Sequence, residues 1–140
     1  WFLHLLVTRC WMRDLRARTA VAAAARASGK ERERLVAEAN KIVRQLEREK
    51  LPGTSTIAKL TRAAIAVVGG DKAAAIAQLD EALVLCQAAH MGTQAAVTRL
   101  HRARLAGGGA ALAEAERALV ALGVRAPMRL AAAVSPIPTD

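Results

Sequence analysis

Glycine and proline divide this chain into segments whose lengths suit helices. The stretches between these breaks are roughly 13 to 27 residues long, as is usual for helices in globular proteins. Glycine closes a helix by taking a left-handed conformation, and proline cannot continue one. The pattern therefore predicts a series of helices joined by short turns. The breaks fall at Ser28-Gly29, Leu51-Pro52-Gly53, Gly69-Gly70-Asp71, Met91-Gly92, Gly107-Gly108-Gly109, Gly123, Pro127, and Pro136 to Pro138.

Apolar residues recur at steps of three and four within these segments, which is typical of one-sided amphipathic helices. No segment alternates with a period of two, so we expect no strands. Only 2% of the residues are aromatic, whereas strands are usually enriched in aromatic residues. We therefore predict an all-α fold with about six helices plus a short C-terminal helix. The stripes are Leu35, Ala39, Ile42, Leu46; Ile57, Leu60, Ala64, Val67; Ile76, Leu79, Leu83, Cys86; and Leu112, Ala115, Leu119, Leu122.

Several residues at the breaks are suited to capping helices. Asp71 can accept a hydrogen bond at the start of the helix that follows it, and Thr54 or Ser55 can do so after Pro52. We expect glycine to close the preceding helices at Ser28-Gly29, Gly69-Gly70 and Gly92.

Turns near Gly29, Gly70 and Gly108 recur at a spacing of about 40 residues, within the range of helix-hairpin repeats. One hairpin cannot bury its own apolar faces, so antiparallel pairs must stack on one another. We assign residues 1–134 to a single helical-repeat domain and residues 135–140 to a Pro-rich C-terminal tail.

Residues 56–89 resemble a tetratricopeptide repeat, most closely from Gly70 to Ala82. The resemblance implies a short tetratricopeptide-like α-solenoid, in which the first helix of each pair lines a concave surface where partner segments dock. The residues that carry it are Ala63, Ala66, Gly70-Asp71, Ala75, Leu79 and Ala82.

The end of the chain resembles the C-termini of large bacterial serine/threonine protein kinases and multidomain ATPase regulators. The resemblance implies a non-catalytic protein-interaction or intramolecular regulatory segment, attached to an upstream kinase or ATPase domain of a signalling protein. Since the chain begins at Trp1 rather than Met, we expect a fragment of a larger protein. The likeness lies in Arg102 to Leu105, Gly107 to Gly109, Ala115 and Leu119, Gly123 to Leu130, and the Pro-rich tail.

Motifs that would carry catalysis are incomplete in this chain. A kinase catalytic loop needs Asp two residues after its His, but Ala103 stands there after His101. A phosphate-binding loop needs Gly-Lys-Ser/Thr, whereas Lys59 lies inside a helical stretch after Gly53. Gly107 to Gly109 lacks the strand that precedes a dinucleotide loop. We therefore predict no catalytic residue and no cofactor in this segment.

The sequence shows no metal-ligand spacing either. His4, His90 and His101 are far apart, and none has a cysteine or carboxylate at ligand spacing. We expect Cys10 and Cys86 to be small buried apolar residues in a reducing compartment rather than a disulfide.

A formal charge of +9 allows a second function, a basic helical repeat that binds nucleic acid. Acidic and basic residues are interspersed, however, and aromatic residues do not accompany the basic ones, which favours a protein or peptide partner or the parent protein's own catalytic domain. Four basic residues on the predicted third and fifth helices are candidates for a partner groove, with a solvated face as the alternative: Lys59, Arg62, Arg99 and Arg102.

The apolar opening from Trp1 to Val7 is too short to span a bilayer and lacks the features of a signal peptide. We therefore expect a cytoplasmic location and no membrane partner. Because Trp1 to Leu6 would be exposed once separated from an upstream helix, self-association is a further expectation.

Overall fold

The computed structural model describes residues 2–138, except for the side chains of residues 2, 3 and 52. Seven helices and no strand occur in these residues, which confirms the all-α prediction of about six helices plus a short C-terminal one. The helices are α1 (Phe2–Ala24), α2 (Gly29–Arg48), α3 (Pro52–Val68), α4 (Lys72–Ala88), α5 (Gly92–Leu105), α6 (Gly109–Ala121) and α7 (Pro127–Val134).

The helices pack in sequential pairs. α1 packs on α2, α3 on α4, and α5 on α6, while α2–α3 and α4–α5 contacts join one pair to the next. α1 also touches α3, and α7 touches both α5 and α6. This arrangement is consistent with a short helical solenoid, because each pair buries its apolar faces against its neighbours.

Small residues at the helix crossings let the backbones approach closely, and longer aliphatic residues fill the space between pairs. The pair α3–α4 shows this pattern, since Ala63, Ala64 and Ala82 are all buried beside Leu60 and Leu79. Leu79 is completely inaccessible to solvent. Leu79 and Cys86 of the predicted α4 stripe therefore face the core, whereas Ile76 and Leu83 are only partly buried.

The turn between α3 and α4 confirms both of its predicted caps. Gly70 has a φ of +79°, and its N–H donates to the Val67 carbonyl at 2.9 Å. The N–H of Asp71 donates to the Ala66 carbonyl at 2.9 Å, which completes a Schellman motif. The Asp71 carboxylate then accepts from the Ala74 N–H at 2.9 Å and caps α4.

The predicted glycine caps at the ends of α4 and α1 were wrong in position. α4 is closed by His90 in the left-handed region (φ +54°), and the N–H of Met91 bonds the Cys86 carbonyl, so Gly92 starts α5 instead. Ser28 is the N-cap of α2 and Gly29 its first residue, rather than the end of α1.

The predicted start of α3 also lies elsewhere. Leu51 is the N-cap, and the Thr54 hydroxyl donates back to the Leu51 carbonyl at 2.9 Å, so neither Thr54 nor Ser55 caps the helix. Near the other end of the chain, Leu122 is 59% exposed. It follows the last helical residue of α6 and no longer shares the buried stripe.

Both cysteines are buried and unpaired, as predicted. Among the described helices, none has the length and apolar character needed to cross a membrane.

Candidate interaction groove

α7 and residues 135–138 lie against one surface of α1, α3 and α5, which we call the inner face. Arg18 of α1 donates through Nη1 to the Ala133 and Val134 carbonyls at the end of α7. A cation there complements the partial negative charge at the helix C-terminus. On the other side, His101 of α5 lies with Nε2 3.1 Å from the Ala131 carbonyl. α7 is therefore held between α1 and α5.

Residues 135–138, which we call the tail segment, continue from α7 into the core. Arg104 donates to the Ile137 carbonyl at 2.9 Å and to the Pro138 carbonyl at 3.2 Å. The Ile137 side chain is only 4% exposed and belongs to the apolar cluster that holds Val21, Leu60 and Leu79. The sequence analysis separates Ile137 from the helical domain, but this residue is part of the domain's core.

A cavity of about 420 Å³ lies beside the start of the tail segment on the inner face. Its wall on α1 includes Trp11 and Leu15, and Trp11 is 72% exposed. α3 contributes Ile57 and Leu60, and Ser135 borders the cavity from the tail segment. The lining is mostly apolar, and such a lining favours the burial of an apolar group from a binding partner.

A second cavity, of about 590 Å³, borders residues 136–138 of the tail segment. Three arginines line it, one from the turn after α1, one from α5 and one from α7, together with Met128 and the two prolines of the tail segment. The arginines are Arg26, Arg104 and Arg129. This end of the inner face therefore combines apolar surface with positive charge.

The first cavity also borders a partly buried ion pair. Asp14 Oδ2 lies 3.0 Å from Arg18 Nη2. Burial raises the pKa of Asp14, and the charge and hydrogen bond of Arg18 act in the opposite direction. Two polar atoms here, Arg18 Nε and Ser135 Oγ, are buried without a hydrogen-bond partner among the described residues. The inner face therefore retains unused hydrogen-bonding capacity next to the tail segment.

His101 is the most strongly perturbed group on the inner face. Burial lowers its pKa from 6.5 to about 4, opposed by the hydrogen bond to Ala131. Because a carbonyl can only accept, Nε2 carries the proton, and the buried Nδ1 has no partner among the described residues. His101 is thus a neutral packing residue that fixes α7.

The four basic residues proposed from sequence do not line either cavity. Lys59 pairs with Glu81 of α4 at 2.6 Å, and Arg62 holds Glu47 of α2 through two bonds of 2.7 and 2.8 Å. The Arg62 guanidinium lowers the pKa of Glu47. These side chains face the second helices of the pairs.

On the fifth helix, Arg102 pairs with Asp80 of α4, which raises the pKa of the arginine, and Arg99 is exposed. The structure therefore brings Lys59 and Arg102 to α4 and Arg62 to α2. Three of the four are thus held in ion pairs with carboxylates of neighbouring helices.

The residues that do line the inner face were missed by the sequence reasoning. One signal was available: exposed apolar residues on α1, including Trp11, Met12 and Leu15, lie on a different side of the helix from the buried Cys10 and Ala17. A helix with two apolar sides has more apolar surface than one partner helix covers. The buried tail residue Ile137 carries no comparable local signal.

Within residues 2–138, no group of three or more His, Cys, Asp or Glu side chains is arranged to hold a metal ion. No protein-family model, curated protein or solved structure matches the chain. The resemblance to the tetratricopeptide-like tails of bacterial kinases therefore stays a prediction.

Proposed function

We propose that this chain is a non-catalytic protein-interaction array that binds a partner segment on its inner face. One observation carries the proposal: the inner face already holds a non-helical segment of the chain, and an apolar cavity stays open beside it. Exposed Trp11 and Leu15 at that cavity are suited to contact a protein partner, since aromatic and aliphatic anchors contribute most to such interfaces.

We further propose that the array is an interaction or intramolecular regulatory part of a bacterial signalling protein, joined to an upstream kinase or ATPase domain. The resemblance at Gly107 to Gly109 and Gly123 to Leu130 supports this assignment. The coding sequence upstream of Trp1 tests it: kinase or ATPase motifs are expected there, and their absence would end this part of the proposal.

The charge of +9 supports the alternative of nucleic-acid binding. Against it, Lys59, Arg62 and Arg102 each pair with a carboxylate of a neighbouring helix. Nucleic-acid binding would weaken steeply with salt because it is driven by counterion release. Tight, salt-sensitive binding of duplex or single-stranded nucleic acid, with no protein partner, would favour the alternative.

Two matched substitutions test the use of the inner face. Leu15→Glu places a charge at the first cavity, where Leu15 is exposed and can be replaced without opening the core. Val84→Glu is the control, because Val84 is 64% exposed on α4 and lines neither cavity. Proximity crosslinking in cells should show a partner that is lost with Leu15→Glu and kept with Val84→Glu. A partner that survives both substitutions would place the interface elsewhere.

A further inference from the structure

We propose that the tail segment is an intramolecular ligand of the inner face, and that a partner displaces it with a segment of the same chemistry. That chemistry is a non-helical stretch with a branched aliphatic residue between two prolines, as in Pro136-Ile137-Pro138. The inference rests on the proposed function. It specifies the kind of segment that binds the inner face, and it identifies the tail segment as the occupant of that face when no partner is bound.

The first argument is the match of donors and acceptors. Pro136 and Pro138 have no N–H, and the N–H of Ile137 is already bonded to the Ser135 carbonyl at 2.8 Å within a tight turn. The tail segment therefore offers the inner face backbone carbonyls as acceptors. The inner face offers the matching donor, since Arg104 binds the carbonyls of both Ile137 and Pro138.

The second argument is the aliphatic anchor. Ile137 is buried among residues of α1 and α3 that are themselves almost inaccessible, including Val21, Leu60 and Ala64. This site accepts one branched aliphatic side chain, and a charged side chain there would lose its hydration without gaining a partner. Specificity at the site therefore favours Ile or Val and excludes Asp.

The third argument is that the tail segment does not satisfy every polar group at its binding site on the inner face. Ser135 Oγ and Arg18 Nε are buried without partners among the described residues, and each such group weakens the bound state. A competing segment with an acceptor placed for Arg18 would remove one of these costs. A partner segment that satisfies these groups would therefore bind the inner face more tightly than the tail segment does, and would replace it.

The fourth argument is that two open cavities border the tail segment. The apolar cavity at Trp11 is bordered by Ser135, and the cavity lined by Arg26 and Arg129 is bordered by residues 136–138. A partner longer than four residues can contact surface that the tail segment does not use. Acidic residues near the aliphatic anchor would complement the arginines of the second cavity.

The test uses a fluorescent peptide with the sequence of residues 133–140, and three versions of the full chain. The wild-type chain should bind it weakly, because a tethered competitor acts at an effective concentration on the order of millimolar. Ile137→Asp should release the resident segment and bind the peptide at least tenfold more tightly by fluorescence anisotropy. Ile137→Val, which keeps the aliphatic anchor, should behave like the wild type.

The matched control peptide carries Asp in place of the aliphatic residue and should bind none of the chains. If Ile137→Asp remains helical by circular dichroism and binds the peptide no better than the wild type, the inference is overturned. Selective methyl labelling of isoleucine in the wild-type chain provides a second readout that needs no variant. Excess unlabelled peptide should move the Ile137 methyl resonance to the position of an exposed isoleucine, and an unchanged resonance at peptide concentrations above about 10 mM would contradict displacement.

The two proposals fail separately. In one outcome, a cellular partner is lost with Leu15→Glu, and Ile137→Asp binds no peptide. This outcome would support the proposed function and refute the proposal that the tail segment is an intramolecular ligand. Peptide binding by Ile137→Asp, with a cellular partner unaffected by Leu15→Glu, would support the tail segment as an intramolecular ligand and place the partner's interface elsewhere.

Discussion

Replacing His101 with Gln should make the folded array less sensitive to acid. The ring is buried between α5 and α7, with Nε2 bonded to the Ala131 carbonyl and Nδ1 unpaired. Protonation would place an uncompensated positive charge at Nδ1 inside the core. Gln can still donate to Ala131 and carries no titrating group, so His101→Gln isolates the effect of the charge.

The sign and size of the change in stability with pH follow from the pKa of His101, which falls from 6.5 to about 4 on folding. Above pH 6.5 the ring is neutral in both states, and folding incurs no penalty from this group. As the pH falls from 6.5 towards 4, the unfolded chain takes up a proton that the folded chain does not, and stability drops by about 1.4 kcal/mol per pH unit. At about pH 5 the loss attributable to His101 is about 2 kcal/mol.

Urea denaturation followed by circular dichroism, at about pH 7 and about pH 5, measures this difference. The wild type should lose about 2 kcal/mol more than His101→Gln between the two conditions, since other groups such as Asp14 titrate equally in both chains. His4→Gln serves as the control, because His4 is exposed on α1 and folding does not take its ring out of water. Equal losses in wild type and His101→Gln would refute the assignment of His101 as a buried neutral residue.

Three further predictions concern the α3–α4 pair. Leu79→Ala should lower the free energy of unfolding by about 2–5 kcal/mol, measured by urea denaturation, because Leu79 is wholly buried. Gly70→Ala should destabilise the fold by about 1 kcal/mol because φ is +79° there, whereas Gly53→Ala, inside α3 with open space around the new Cβ, should stabilise it by about 0.5–1 kcal/mol in thermal melts. Asp71→Ala should cost about 1 kcal/mol through loss of the cap to Ala74, and Asp71→Asn should restore most of it.

Local sequence predicted the features that depend on near neighbours. The stripe of Leu79 and Cys86 predicted the buried face of α4, and the Gly70-Asp71 pair predicted a turn whose bonds all join residues within five positions of each other. These predictions succeeded because helix periodicity and capping are decided by residues a few positions apart.

Helix ends were less predictable even though they are local. His90 takes the left-handed conformation that the sequence assigned to Gly92, and Leu122 continues the spacing of Leu119 but falls just outside α6. The position at which a helix stops depends on which residues of its last turn pack against neighbouring helices. In α4 the last such residue is the buried Cys86, four positions before His90. That packing is a property of neighbouring helices, which local spacing does not reveal.

The sequence by itself determined that this protein is a series of amphipathic helices with defined turns between α3 and α4, because the relevant interactions are short in sequence. Only the tertiary structure decided which distant residues the charged side chains and the inner-face side chains contact. Arg62 pairs with Glu47 from the preceding helix, Arg18 holds a carbonyl 115 residues away, and Ile137 completes the core of the first two helix pairs. Such contacts exist only once stacked helices bring distant segments within bonding distance. Local spacing therefore did not predict the ion pairs of Lys59, Arg62 and Arg102 or the burial of Ile137.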